Sequence, residues 1–312
     1  MRFRPYVNRW IVAVVAITGL ATILSGYHAD IPLADLQGKY ANEASRYINI
    51  LGTSVHYRDE GQGPLLVLLH GTAASLHTWD RWVDILQQDF RIVRLDLPGF
   101  GLTGPDAGRD YSIRHYVNFV HAFAQALELP RFHLAGNSLG GEIAWNYALG
   151  HPQRVDHLIL IDAAGHPDSS RTGVPLVFRL ARLPVIKQLF TVITPRSIHR
   201  SSILDVYGDP GKVTDALIDR YFELSLRPGN RQAFIDRAQI ITAEPGAEPR
   251  LITQPTLILW GAKDRWIPLA DGEAFARDIH GAELRVYPNA GHVPMEEIPD
   301  KTAAAVLGFL VN

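Results

Sequence analysis

The chain has 312 residues, 47% hydrophobic and 20% charged, an ordinary globular composition that excludes a disordered, collagen-like or coiled-coil protein. A formal net charge of -2 provides no global basic field to hold nucleic acid, so no nucleic-acid partner is expected. With no cysteine, disulfides, thiolate metal sites and a cysteine nucleophile are excluded.

From Trp10 to Tyr27 the chain carries eighteen uncharged residues, directly after a leader containing Arg2, Arg4 and Arg9. A helix rises about 1.5 Å per residue, so this run covers roughly 27 Å, close to a bilayer's hydrocarbon thickness of about 30 Å. The pattern predicts a transmembrane helix over residues 10–27 with residues 1–9 left in the cytoplasm, because arginines precede the run and Asp30 and Asp35 follow it. The expected location is the inner membrane, single-pass, with an extracytoplasmic catalytic domain. A cleaved signal peptide, giving a secreted or periplasmic protein, is the alternative. Its apolar stretch would normally be shorter, about 7 to 15 residues, and Tyr27 stands where a small residue is expected.

Residues 28–45 read as a polar, helix-compatible connector, and strand-like alternation begins at Arg46. Apolar runs then end in turn residues: Leu65 to Leu69 before His70-Gly71, Arg91 to Leu95 before Asp96, and Phe132 to Ala135 before Gly136. The same form recurs at His157 to Ile161, Thr256 to Trp260 and Glu283 to Tyr287, with helix-compatible stretches such as Ile113 to Leu127 and Gly140 to Leu149 between. This alternation predicts an α/β fold, a mostly parallel sheet covered by helices on both faces, with ligands bound beyond the carboxyl ends of the strands. The interval 165–250 is too long for a loop and is expected to be an inserted helical cap, leaving 46–164 and 251–312 as the core.

Gly136-Asn137-Ser138-Leu139-Gly140 follows one predicted strand and opens a predicted helix. In such an elbow the serine sits on a sharp turn, flanking glycines remove colliding side chains, and the helix N-terminus favours developing negative charge. A serine hydroxyl needs a base, and the base an orienting acid. Asp264 and His292 each lie in a loop after a predicted strand, on the same rim as Ser138, in the order Ser, Asp, His along the chain. Asp162 is a second acid at a strand end; Asp264 is preferred because it follows the penultimate strand. The Leu139 N–H, just after the nucleophile, and that of Thr72, after His70-Gly71, are the expected oxyanion donors. Asp96 reads as a turn-stabilising residue. His56, His77, His115, His121, His133, His151, His157 and His280 read as surface or packing residues, and Trp266, Val293 and Met295 as pocket liners.

With these residues in place the chain resembles the α/β-hydrolase superfamily from about Arg46 to the C-terminus. The landmarks are His70-Gly71, Asp96-Leu97-Pro98-Gly99-Phe100-Gly101, Gly136 to Gly141, Trp260 to Asp264 and Gly291 to Glu297. The resemblance implies the α/β-hydrolase fold, with Ser138 as nucleophile, His292 as base, Asp264 as acid, Thr72 and Leu139 as oxyanion donors, a cap and no cofactor or metal. It also points to ester hydrolysis, as in membrane-associated bacterial esterases and monoacylglycerol-lipase-like enzymes, with a small-molecule or lipid ester as substrate. The alternative is a carbon-carbon bond hydrolase of ring-cleavage products. Those enzymes share the Gly-Asn-Ser elbow but usually carry a Gly-rich stretch after His-Gly and a Trp after the catalytic His, where this chain has Thr72-Ala73-Ala74-Ser75 and Val293. A non-catalytic binding protein on the same fold has no need of a full triad.

Residues 171–200 hold Arg171, Arg179, Arg182, Lys187, Arg196 and Arg200 and no acid, alternating with apolar side chains. Two readings stay open: a segment lying in a membrane interface, or a cap helix with its apolar face over the site and its arginines in water.

Overall fold

In a computed structural model the described residues are 26–169, 190–240 and 248–311, with 179 and 181–183. Ser45–Ile50 (β1) and Thr53–Glu60 (β2) pair as an antiparallel hairpin. Its turn, Leu51-Gly52, has positive φ at both residues, the geometry that matches the twist of two joined strands. Then come Leu65–Leu69 (β3), Arg91–Leu95 (β4), Phe132–Asn137 (β5), Val155–Ile161 (β6), Thr256–Gly261 (β7) and Glu283–Tyr287 (β8). The eight strands lie in the order β1-β2-β4-β3-β5-β6-β7-β8, with β1/β2 and β2/β4 antiparallel and the rest parallel.

The near-continuous apolar strands are buried on both sides, as expected for a parallel sheet. Val67, Leu69, Val93 and Leu95 pack on one face with residues of Ile113–Ala126 (α3), Leu139–Gly150 (α4) and Leu269–Asp278 (α8). Leu66, Leu68 and Ile92 pack on the other with Trp82 and Val83 of Asp80–Leu86 (α2) and Ala303 and Val306 of Pro299–Val311 (α9). Helix α3 begins at Ser112, whose side chain accepts from the His115 N–H, a cap worth about 1 kcal/mol.

Between β6 and β7 the described residues include three α-helices, Arg196–Val206 (α5), Asp215–Ser225 (α6) and Asn230–Gln239 (α7), and no strand. The connector contains Leu33–Tyr40 (α1), which docks on this helical region: Leu36 and Tyr40 pack with Leu224, and Lys39 and the Tyr40 hydroxyl both bond the Glu223 carboxylate. Upstream, Thr194 N–H donates to the Gly26 carbonyl at 2.8 Å, and Arg231 Nη2 bonds Asp30 at 2.6 Å.

Two expectations meet the described residues only at their edges. Of the uncharged run 10–27, only Gly26 and Tyr27 are described, and among the described residues no helix is long and apolar enough to cross a membrane. Of the basic stretch 171–200, residues 171–178, 180 and 184–189 lie outside the described set. Within it, Arg196 pairs with Asp219 and Asp215 and Arg182 Nε donates to the Ala238 carbonyl, while Arg179 and Arg200 are exposed.

Candidate active site

The polar residues singled out above stand at the carboxyl ends of β3, β5, β6, β7 and β8, along one rim of the sheet. Ser138 joins β5 to α4 with φ 54° and ψ -116°, a conformation rare for a residue with a side chain. The turn is held by its neighbours. Ser138 N–H donates to Ile161 O at 3.1 Å, and Ser138 O accepts from Glu142 N at 2.9 Å and Ala164 N at 3.0 Å. A Cβ on Gly140 would stand 2.1 Å from the Leu69 carbonyl oxygen, so only glycine lets α4 start this close to β3.

Asp264 is anchored from both sides. Its Oδ1 accepts from the N–H groups of Trp266 at 2.7 Å and Ile267 at 3.0 Å, and its Oδ2 lies 2.7 Å from His292 Nδ1. Both side chains are buried. The arrangement orients the imidazole with Nε2 turned away from the carboxylate. His292 is also fixed through its backbone: its N–H donates to Val206 O at 2.7 Å, and its carbonyl accepts from Asn137 Nδ2 at 2.9 Å.

Ser138, His292 and Thr72 line one pocket, closed by Phe190, Ile198, Ile203, Val206, Leu224 and Phe234 of the cap interval and by Trp266 and Val293 of the core. The Trp266 ring sits 5.5 Å from that of His292. The wall is mainly apolar and favours an apolar substrate portion. Leu139 is the first residue of α4, so its N–H is among those without an intrahelical partner and is free to face an oxyanion. The loop carrying Thr72 approaches closely, since a Cβ on Gly71 would lie 3.2 Å from Ser138 Cβ.

Several readings are corrected. Met295 is not a pocket liner; it is fully buried in the core beneath the site. His56 is more than a packing residue: it is completely buried and its Nδ1 lies 2.7 Å from Asp96 Oδ2. Asp96 is the turn-stabilising residue expected, accepting from Leu76 N at 2.7 Å and Leu102 N at 2.8 Å. Burial alone would raise its carboxyl pKa, but His56, His70 and the Leu76 N–H bring it below the usual carboxylate range. His70 is pushed below its ordinary value by burial and pins the loop, bonding the Gly71 carbonyl through Nδ1 and accepting from Leu97 N–H at Nε2.

Three residues that pattern reading passed over hold the site together. Asn137, seen only as a letter of the elbow motif, bridges it to the His292 loop. Glu297 is buried and its carboxylate accepts from the N–H groups of Gly208 at 2.9 Å, Asp209 at 2.8 Å and Gly291 at 2.8 Å, tying the cap interval to the residue before His292. Glu296 accepts from the hydroxyls of Thr78, Tyr207 and Tyr221, bringing the same parts together beside the pocket. No local signal marks these partners, because all of these bonds except that of Glu297 to Gly291 close between segments far apart in sequence.

Asp162 occupies the end of β6 with φ 43° and is fully buried. Its Oδ1 accepts from Gly261 N at 3.0 Å, whereas Oδ2 has no hydrogen-bond partner. Burial, and next the charge of Asp264, push its carboxyl well above the ordinary range.

Comparison with known proteins matches residues 64–299 to the family model of the alpha/beta hydrolase fold. A 2-hydroxy-6-oxo-6-phenylhexa-2,4-dienoate hydrolase of Burkholderia cepacia is 30% identical, over 83% of this chain and 91% of its own. A crystal structure of a meta-cleavage product hydrolase from Pseudomonas fluorescens is 26% identical with TM-score 0.74, over 85% of this chain and 97% of its own. One of a membrane phospholipase A, described as a novel bacterial virulence factor, is 28% identical with TM-score 0.71, over 97% of this chain and 98% of its own. The dienoate and meta-cleavage product hydrolases overturn ester hydrolysis as the principal reading and favour the carbon-carbon alternative. The ester reading rested on Thr72 to Ser75 and Val293. Thr72 to Ala74 and Val293 line the pocket, and side chains there shape the space around a serine without choosing which bond to its acyl carbon breaks.

Proposed function

Because the chain belongs to the alpha/beta-hydrolase family, we propose that it is a serine hydrolase cleaving the carbon-carbon bond of a conjugated keto acid of the ring-cleavage type. The observation that carries this reading is the 30% identity to the dienoate hydrolase over 83% of the chain. Ser138 attacks the ketone carbon and His292 takes the hydroxyl proton, held in orientation by Asp264. The Thr72 and Leu139 N–H groups stabilise the oxyanion. A proton shift within the substrate, from the enol oxygen to the carbon beside the ketone, makes that carbon tetrahedral; on collapse the carbon-carbon bond breaks, its electron pair passes into the leaving fragment's conjugated carbonyl as a dienolate, and the His292 proton neutralises the dienolate. Water activated by His292 then releases the carboxylic acid and restores the Ser138 hydroxyl. No cofactor is required in this sequence.

The test is turnover by purified protein of a ring-cleavage dienoate beside p-nitrophenyl esters of increasing acyl length. Preferential dienoate cleavage, lost by at least about 1000-fold in Ser138→Ala, is expected. Turnover of esters alone would overturn the proposal.

We further infer that residues 10–27 anchor the catalytic domain outside the cytoplasm. Support comes from the arginine-flanked uncharged run and from the membrane phospholipase A, whose match extends over 97% of this chain. Retention in membranes washed at high pH, with protease reaching the catalytic domain only from the outer side, is the expected result; release by the wash would overturn it.

A further inference from the structure

Beside the pair of Asp264 and His292 lies a third titratable group that the mechanism above does not use. Carboxylate oxygens of Asp162 and Asp264 and a ring nitrogen of His292 all lie within 4.8 Å of one another. Two carboxylates confined together out of water cannot both stay ionised, and the better-solvated one keeps the charge. Here the donors decide. Asp264 accepts three N–H bonds, from Trp266, Ile267 and His292. Asp162 accepts one, from Gly261, and its other oxygen is buried without a partner. Of the two, Asp162 is the carboxyl pushed towards its protonated form, by burial and then by the charge of Asp264.

The second oxygen of Asp162 is buried beside the Asp264 carboxylate, so a proton on Asp162 is shared towards the acid that orients His292. The backbone also reaches an unfavourable φ to place it there. Resting on the triad reading, we propose that Asp162 is a reserve orienting acid: a positioning residue, neutral while Asp264 holds the charge, that ionises and orients His292 when the Asp264 carboxylate is removed. Removing that carboxylate deletes the neighbouring charge and vacates space on the side of the imidazole where Asp162 already stands.

The test uses the rate at which a fluorophosphonate probe labels Ser138, a reaction that needs the base but no knowledge of the substrate. Asp264→Ala is expected to lose about 100-fold and Asp162→Asn only a few-fold, while the double variant loses about 10,000-fold, the cost of a triad with no acid at all. A merely structural Asp162 gives a double variant equal to the product of the two singles, and that result overturns the proposal. Thermal unfolding of each variant identifies those that do not fold. Asp264→Gly, Asp162→Ser and the double variant of these two then take their place, with the same expected and overturning outcomes. A wild-type chain that the probe does not label overturns the triad itself, whereas loss of dienoate turnover with labelling intact bears on the substrate alone.

Discussion

Asn137 Nδ2 donates to the carbonyl of His292 at 2.9 Å, joining the nucleophile elbow to the base loop across 155 residues of sequence. The same amide nitrogen donates to Ile161 O at 3.1 Å, so one side chain sets the spacing of three strand ends. Asn137→Ala leaves the His292 carbonyl without its donor, while Ile161 O keeps the Ser138 N–H, and is expected to cost about 1–3 kcal/mol in denaturant unfolding. Displacement of His292 by a fraction of an ångström is expected to slow fluorophosphonate labelling of Ser138 by about 10- to 100-fold. Labelling at the wild-type rate would show that the base loop is held by its other contacts.

Glu297 gathers three backbone N–H groups, two from the cap interval and one from Gly291. Hydrogen bonds to a charged acceptor are among the stronger ones, and Glu297→Ala leaves three donors with reduced satisfaction. Stability is expected to fall by about 3 kcal/mol, with kcat reduced more than KM is raised, because the disturbed segment adjoins His292. Glu297→Asp is expected to recover part of both losses. Unchanged unfolding midpoints would contradict this account.

A pH dependence follows from His199, which lines the pocket and whose pKa burial lowers to about 4, with His28 adding repulsion. In the unfolded chain an imidazole titrates near 6.5. Between those values the unfolded state binds more protons, so this contribution is complete above pH 6.5 and declines as pH falls towards 4. The loss is about 2–3 kcal/mol at the acid end. His199→Gln removes it, so the stability difference between wild type and variant should drift steadily across that window. A constant difference from pH 7 to pH 4 would rule it out.

Gly140→Ala tests the elbow. The added methyl meets the Leu69 carbonyl oxygen at 2.1 Å, and backbone has no rotamer by which to yield. Helix α4 must back away from β3, at a cost of about 1–3 kcal/mol or more. A probe-labelling rate reduced by about tenfold or more is expected, because Leu139 N–H shifts from where the oxyanion forms.

What the sequence determined by itself is local. Apolar runs closed by glycine, aspartate or histidine marked the strand ends at Ser138, Asp264 and His292, because strand formation and turn chemistry depend on residues a few positions apart. Of the first hairpin only β1 was legible, as the alternation from Arg46; β2 and the Leu51-Gly52 turn went unread because the alternation of β2 is broken by buried His56 and Arg58, whose partners are distant. Tertiary structure alone decided the rest. It placed β4 between β2 and β3, buried Met295, tied Asn137 to His292 and Glu297 to Gly208 and Asp209, and set Asp162 beside Asp264. Each of these depends on which distant segments share a low-dielectric interior, and no local pattern encodes which distant segments those are.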